Sequence, residues 1–299
     1  MGEKESRRPL CLYEELTVKK SPFLAYCRKL VKMGDEFLIQ HPSKFHEQAR
    51  ELLIKAKLHE IYNYSEIVEN SFQNNFNHEQ NYKSFEFSDL PITVARGEHC
   101  FIDLYFWRRN PTTIYNHHFQ GAFQCLSGKN IDSIYKFKKT RKLTPLHSLG
   151  ELLEIQTREV AVGEVEPIDL LDNFIHQNHH HGELTVNLCF RTPDYPGKNL
   201  ANFLYTGLRY EKDQLGQARA RRLYEFLQID DLNPAKLNIT LSDAFNFILS
   251  THGLSTSHPR FHKLKKYLLD KIKNETGINL LKLLSIHDLK LDEIQSNYE

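Results

Sequence analysis

Two stretches near the start of the chain carry apolar residues at intervals of three and four, which is the spacing of one helix face. The first covers 23–38 and follows Ser21 and Pro22, a pair typical of a helix cap and first turn. The second covers 45–56, and Pro42 marks the break between the two. The sequence therefore predicts two N-terminal helices whose apolar faces pack against a core.

From about residue 92 the pattern shortens into runs rich in β-branched and aromatic residues, separated by Gly, Pro and Asn. Several short strands at this spacing indicate an antiparallel sandwich or barrel. The preceding residues 63–84 are rich in Asn, Gln and Ser and show little periodicity, which predicts an irregular connection. The strand-like runs cover 99–107, 112–118, 121–128, 131–139, 152–162, 174–177, 184–192 and 200–210.

Helical spacing returns after residue 213. The predicted fold class is mostly β with helical extensions, namely an antiparallel β-barrel between N- and C-terminal α-helices. We divide the chain into an N-terminal helical segment, 1–91, a barrel, 92–212, and a C-terminal helical segment, 213–299. A chain of 299 residues is long enough for such an assembly to bury a core.

The charges nearly cancel, with 39 Lys and Arg against 38 Asp and Glu, so no overall field would draw the chain onto nucleic acid or an anionic membrane. The first residues are charged, and no run approaches the roughly 18 to 20 apolar residues that cross a bilayer. We therefore expect a cytoplasmic protein with no nucleic-acid and no membrane partner. Its five cysteines are scattered without a C-x-x-C pair, which favours reduced, buried thiols.

The segment 111–128, PTTIYNHHFQGAFQCLSG, combines a strand, a bend and a glycine-rich strand. Residues two apart on a strand point to the same face, so Tyr115 and His117 are expected side by side. The segment resembles the first histidine motif of the cupin superfamily, with Tyr115 where the motif has its first histidine. The resemblance implies a cupin-type barrel, also called a double-stranded β-helix, over about 92–210.

Two further features extend the resemblance. Gly121 and Ala122 stand where most cupins carry a glutamate, and the loss of that carboxylate is shared by the three-histidine, cysteine-dioxygenase-like branch. The segment 163–177 fits the second cupin motif, in which Gly163 opens a turn and His176 lies on the next strand. The resemblance therefore implies that His176 is a metal ligand.

The implied ligand set is His117, His176 and Tyr115, and the implied metal is Fe(II). Two histidines and one oxygen ligand would leave open positions on iron, as oxygen-activating sites require. Tyr115 supplies that oxygen if a cation lowers the pKa of its phenol from about 10. The alternative is a vestigial site, in which both histidines are ordinary barrel residues, Tyr115 is a buried phenol with one hydrogen bond, and no metal binds.

The strand predicted over 184–192 offers candidate substrate-binding groups. Its inward positions carry Asn187, Cys189 and Arg191, and a guanidinium is a fixed fork that suits a substrate carboxylate. The serine, histidine and tyrosine that thiol dioxygenases place here are absent, which argues against thiol dioxygenation itself.

Two more polar residues are candidates for the pocket. Gln124 is expected to face the barrel interior, either beside the site or as a satisfied buried amide. The run 179–181 consists of three histidines, and we expect it in a surface loop between two strands. His180, four residues after His176, is the member kept as a pocket residue.

The leading hypothesis is a dioxygenase-like, non-haem iron oxidoreductase that acts on a small polar substrate, with Tyr115 and Arg191 as catalytic residues. One alternative is a metal-free cupin scaffold that binds a small molecule or a partner protein through its helical extensions. Another is a nonoxidative cupin isomerase, in which Tyr115 and His180 act as the acid and base. A small molecule is the expected partner in the enzymatic hypotheses, and association into a homo-oligomer is left open.

Overall fold

The computed structural model describes residues 21–72, 76, 80, 88, 90–108, 112–211, 214–226, 234, 237–254 and 259–298. A short 3-10 turn at Pro42–Lys44 joins the first two α-helices. The α-helices are α1 Pro22–Gln40, α2 Phe45–Ala56, α3 Leu58–Ile61, α4 Tyr64–Phe72, α5 Gln214–Phe226, α6 Leu241–Ser250, α7 Pro259–Thr276 and α8 Leu280–Tyr298.

Helix α1 begins where the sequence predicts. The Ser21 side chain accepts a hydrogen bond from the Leu24 amide at 3.1 Å, and Pro22 occupies the first turn. Further along α1, the Asp35 carboxylate accepts the backbone N–H groups of 98–100, which form the turn after the first strand. Helix α1 is therefore fixed to the sheet by hydrogen bonds as well as by apolar packing.

All strand pairings are antiparallel, and six strands close a ring in the order β4, β7, β3, β8, β9, β5 and back to β4. Strands β2 and β1 continue from β7, and β6 pairs with the start of β4. The strands are β1 Leu90–Arg96, β2 Phe101–Trp107, β3 Ile114–His117, β4 Gly121–Lys142, β5 His147–Val160, β6 Val165–Ile168, β7 Leu171–Arg191, β8 Ala201–Phe203 and β9 Leu208–Glu211.

Strands β4 and β7 are long enough to belong to both sides of the barrel. Their pairing is interrupted by bulges between Cys125 and Lys129, where β4 bends from one side to the other. Gly128 lies in this bend with φ +83°, and a Cβ there would come within 2.8 Å of the Leu184 carbonyl oxygen. Glycine is required at this corner because both the backbone angle and the close approach of β7 exclude a side chain.

Two helical layers cover the barrel from outside. The outer faces of β1, β2 and the adjoining parts of β4 and β7 pack against α1 to α4 in one apolar core. The C-terminal helices form a second core with Leu204 and Leu208 from the β8–β9 hairpin. The chain is thus an antiparallel cupin-type barrel with N- and C-terminal helices, as the sequence predicts. None of the helices in the described ranges has both the length and the apolar composition needed to cross a membrane.

Several predicted boundaries are wrong. Residues 64–72 of the expected irregular connection form α4, in which the Asn63 side chain caps the Glu66 amide and Ile67 is buried; most of 73–84 lies outside the described residues. The runs 121–128 and 131–139 belong to the single strand β4, because the strand continues through its bend and pairs with β7 on both sides of the bulges. The four described cysteines are free and buried, as expected, whereas Cys11 lies outside the described residues.

Candidate functional site

A cavity opens inside the barrel between β2, β3, β6, β7 and the start of β4. It has about 640 Å³ of space not filled by protein atoms, part of it open to solvent. Apolar rings dominate its wall, and polar side chains of β7 supply much of the rest. The lining residues are Tyr105, Trp107, Tyr115, His117, Phe119, Phe123, Ile168, His176, Asn178, Asn187, Cys189, Arg191 and Asp194.

Two histidines meet in this cavity. The Nε2 atoms of His117 on β3 and His176 on β7 lie 2.9 Å apart, and both side chains are buried. Tyr115 pairs directly with His176 across the β3–β7 ladder, and its ring contacts both imidazoles edge-on, with centroids 5.0 and 4.9 Å away. The three residues implied as ligands therefore lie together, although their roles stay predictions.

A carboxylate orients one of the two imidazoles. His176 Nδ1 lies 2.9 Å from Asp132 Oδ1, and the Asp132 side chain is fully buried. A carboxylate only accepts hydrogen bonds, so the proton of His176 lies on Nδ1 and the Nε2 lone pair points toward His117. Ligating histidines in metalloproteins are held by carboxylates in this way.

The donor set fits a metal in part. Metal–imidazole bonds are about 2.0 to 2.1 Å long, so one ion can reach both Nε2 atoms. Burial, together with the nearby His176, lowers the pKa of His117 well below 6.5, which keeps that ring in its neutral, metal-binding form. Across the described ranges, however, no group of three His, Cys, Asp or Glu side chains is placed to hold one ion. A third protein ligand would have to be an oxygen outside that set, and Tyr115 is the nearest phenol.

The environment of Tyr115 opposes a phenolate when no cation is present. Burial, reinforced by the nearby Asp132 carboxylate, raises the pKa of the Tyr115 phenol. At neutral pH the phenol therefore keeps its proton, and only a bound cation would reverse that preference.

Arg191 lines the cavity, but its charge is already neutralised. Its Nε lies 3.3 Å from Asp103 Oδ2 and its Nη1 lies 2.9 Å from Asp194 Oδ1. The guanidinium is also sandwiched between the rings of Phe101 and Phe119, each 4.4 Å away. The pKa of Arg191 lies above its usual value. Burial alone would lower this pKa, but the neighbouring carboxylates of Asp103 and Asp194 help to raise it by more. The expected fork for a substrate carboxylate is thus occupied by the protein's own carboxylates.

Gln124 does not face the cavity. It shares the parity of Ala122, as predicted, but that parity faces α1 and α2, because Ala122 and Leu126 belong to the core beneath these helices. The Gln124 amide donates to the Gly163 carbonyl oxygen at 3.1 Å. Both faces of this part of β4 are buried, so hydrophobic alternation alone does not distinguish them.

The histidine run 179–181 is not a loop. It lies within β7, which continues unbroken because residues 179–181 pair with 129–131 of β4. His180 is buried with its Nδ1 2.6 Å from Asn130 Oδ1, and its ring stacks on Trp107 at 4.4 Å. It is therefore behind the cavity wall. Asn187, by contrast, lines the cavity and accepts from Asn130 at 2.8 Å.

Sequence reasoning missed Asp132, Trp107, Asn178 and Asp194. Two-residue alternation along β4 and β7 places Asp132 and Asn178 on the face that carries His176, and this alternation could have identified them as site residues. Trp107 and Asp194 come from a neighbouring strand and a loop, so only the tertiary structure brings them to the site.

No protein-family model matches this chain, and no curated protein matches it in sequence. Among solved structures, the DMSP lyase DddQ from Ruegeria pomeroyi is 9% identical with a TM-score of 0.29, covering 46% of this chain and 68% of that one. A cupin 2 conserved barrel domain protein from Rhodopseudomonas palustris is 12% identical with a TM-score of 0.27, covering 46% and 77%. Oxalate oxidase is 14% identical with a TM-score of 0.24, covering 34% of this chain and 44% of that enzyme. The chain thus spans less than half of oxalate oxidase, and the fold assignment rests on the strand pairing described above.

Proposed function

We propose that this chain is an iron-dependent oxidoreductase of cupin type, in which His117 and His176 hold one Fe(II) ion and Tyr115 borders or completes the site. The observation that carries the proposal is the 2.9 Å separation of the two Nε2 atoms, with Asp132 on the far nitrogen of His176. The same separation allows a direct hydrogen bond between the two imidazoles, and a cation bound to both Nε2 atoms would take the place of that bond.

The protein's own residues perform three tasks in this proposal. Asp132 fixes the tautomer of His176, so that its Nε2 lone pair faces the site. The aromatic wall limits the access of water and strengthens the electrostatic interactions inside. Tyr115 retains its proton without a cation and can donate a hydrogen bond to a bound molecule. Iron, when bound with open positions, supplies the chemistry of oxygen activation.

Metal analysis of full-length protein purified without a histidine tag tests the proposal. We expect about one iron per chain after anaerobic loading with Fe(II) and desalting, and loss of that iron in His117→Ala and in His176→Ala. His118→Ala is the matched control, because His118 is the next residue along the chain and pairs with Asp194 instead. Absence of iron in the wild type, or iron retained in both cavity variants, would overturn the proposal and favour a metal-free binding scaffold.

A second candidate function is nonoxidative acid–base catalysis, and one observation favours it. The buried Asp132–His176 pair is an arrangement that makes an imidazole a general base, and Tyr115 is a protonated group beside it. In this candidate function Tyr115 is the acid and His176 is the base. His176 takes the place of His180, the base predicted from the sequence, because His180 lies behind Trp107. Turnover of a substrate by metal-depleted protein without oxygen consumption would select this function over the oxidative one.

A further inference from the structure

The cavity wall away from the two histidines is mostly aromatic. Tyr105 and Trp107 come from β2, and their rings lie 6.4 Å apart, while Phe119 lies in the bend before β4 and Phe123 lies near the start of β4. His180 stacks against one face of the Trp107 indole and holds it in place. Rings in such a wall offer large, rigid contact areas that favour a flat ligand.

Two buried polar atoms in this wall lack partners. Trp107 Nε1 and Asn178 Oδ1 make no hydrogen bond to any residue in the described ranges, and the Asn178 side chain is 5% exposed. An indole N–H can only donate, and an amide oxygen can only accept. A ligand that carries one hydrogen-bond acceptor and one donor would satisfy both atoms. This wall therefore favours a ligand with polar substituents over a purely apolar one.

The charges around the cavity disfavour an anion. Arg191 is the one Lys or Arg among the described lining residues, and Asp103 and Asp194 already pair with it. Asp132 adds a further carboxylate behind His176. A ligand carboxylate would therefore be desolvated beside fixed negative charges without gaining a free cation from the protein wall.

We propose that this cavity binds a neutral aromatic molecule that bears a hydrogen-bond acceptor for Trp107 and a donor for Asn178, and that without a bound metal it disfavours the carboxylate counterpart of the same shape. This narrows the small polar substrate expected from the sequence to an uncharged ring with polar substituents. The inference rests on the proposed function only in taking the same cavity as the substrate site.

The chain offers its own reporter, because Trp107 is its only tryptophan. Full-length protein, as purified and after chelator treatment, is titrated with benzamide and with benzoate while tryptophan fluorescence is recorded. The two probes have nearly the same shape and differ in charge. We expect saturable quenching by benzamide, and binding of benzoate to the chelator-treated protein weaker by about tenfold or more.

Two amide-to-alanine variants provide the matched comparison. Asn178→Ala removes the cavity acceptor and should weaken benzamide binding by about tenfold. Gln124→Ala lies on the opposite face of β4, beneath the helices, and should leave benzamide binding unchanged. Circular dichroism verifies that both variants are folded.

Each outcome is decisive for one of the two proposals. Absence of benzamide binding, or benzoate binding as tight as benzamide in chelator-treated wild type, would overturn the ligand class without reference to any variant. If benzamide binds as expected but the chain takes up no iron, the ligand class stands and the iron-dependent function fails. If iron binds but benzamide does not, the function stands and the ligand class is wrong.

Discussion

Strands β4 and β7 present two very different faces to the rest of the molecule. The outer face carries Ala122, Leu188 and Phe190, which pack under α1 and α2 in a continuous apolar core. The inner face carries Asn187 and Arg191 among other polar groups around the cavity. Apolar packing alone would hold these strands together, whereas buried polar groups cost stability unless they are paired. We infer that the outer face serves folding, and under the proposed function the inner face serves binding.

The largest expected effect comes from truncating the outer face. Phe190 is fully buried and meets the Phe45 ring edge-on at 5.1 Å, so Phe190→Ala should lower the free energy of unfolding by about 3 to 5 kcal/mol. Urea denaturation measures this change, with the exposed Ile39→Ala on α1 as a control that should lose much less. Iron stoichiometry of the folded variant should equal that of the wild type. A loss of iron in folded protein would contradict the separation of the two faces.

A buried histidine outside the cavity gives the next largest effect. Burial lowers the pKa of His147 from 6.5 to about 4, and the ring stacks on Phe245. Between these values the unfolded chain takes up a proton that the folded protein refuses, so stability falls as the pH drops from 6.5 toward 4 and is unaffected above that window. The contribution is up to about 3 kcal/mol.

Urea denaturation of wild type and His147→Gln across this pH range isolates the contribution of His147. The free energy of unfolding of the wild type minus that of His147→Gln should fall by up to about 3 kcal/mol as the pH drops from 6.5 to 4. This fall can reverse the sign of the difference. A difference that does not change with pH would show that His147 keeps an ordinary pKa.

Asp132 should affect metal affinity more than any other residue that is not itself a proposed ligand. Asp132→Asn retains the shape of the side chain but not its charge, so the hydrogen bond to His176 Nδ1 becomes weaker. The affinity for iron should therefore fall by about 10- to 100-fold. The same exchange at the exposed Asp270 of α7 is the control and should change nothing. Competition with a fluorescent chelator measures both affinities. Unchanged affinity in Asp132→Asn would mean that His176 is not a ligand.

Local signals in the sequence were enough for some of these features. Ser21 followed by Pro22 placed the start of α1, and two-residue alternation placed Asn187 and Arg191 on the cavity face. The orientation of Gln124 was wrong because both faces of β4 are buried there. The histidine run 179–181 was misplaced because its burial depends on pairing with 129–131, residues distant in sequence.

The chemistry of the site was harder to predict than the strands that carry it. The meeting of His117 with His176, and of His176 with Asp132, depends on the register between strands, which alternation within one strand does not specify. The neutralisation of Arg191 depends on Asp103 and Asp194, one from a neighbouring strand and one from a loop.

The affinity of Tyr115→His for Fe(II) tests most directly whether residues 115, 117 and 176 converge on one ion. Tyr115 lies opposite His176 in the ladder and contacts both imidazoles, so a histidine there would complete a three-histidine set. We predict tighter binding than in the wild type, on the order of tenfold, which corresponds to about 1.4 kcal/mol. Equal or weaker binding, in a variant whose circular dichroism matches the wild type, would contradict the convergence of these three side chains.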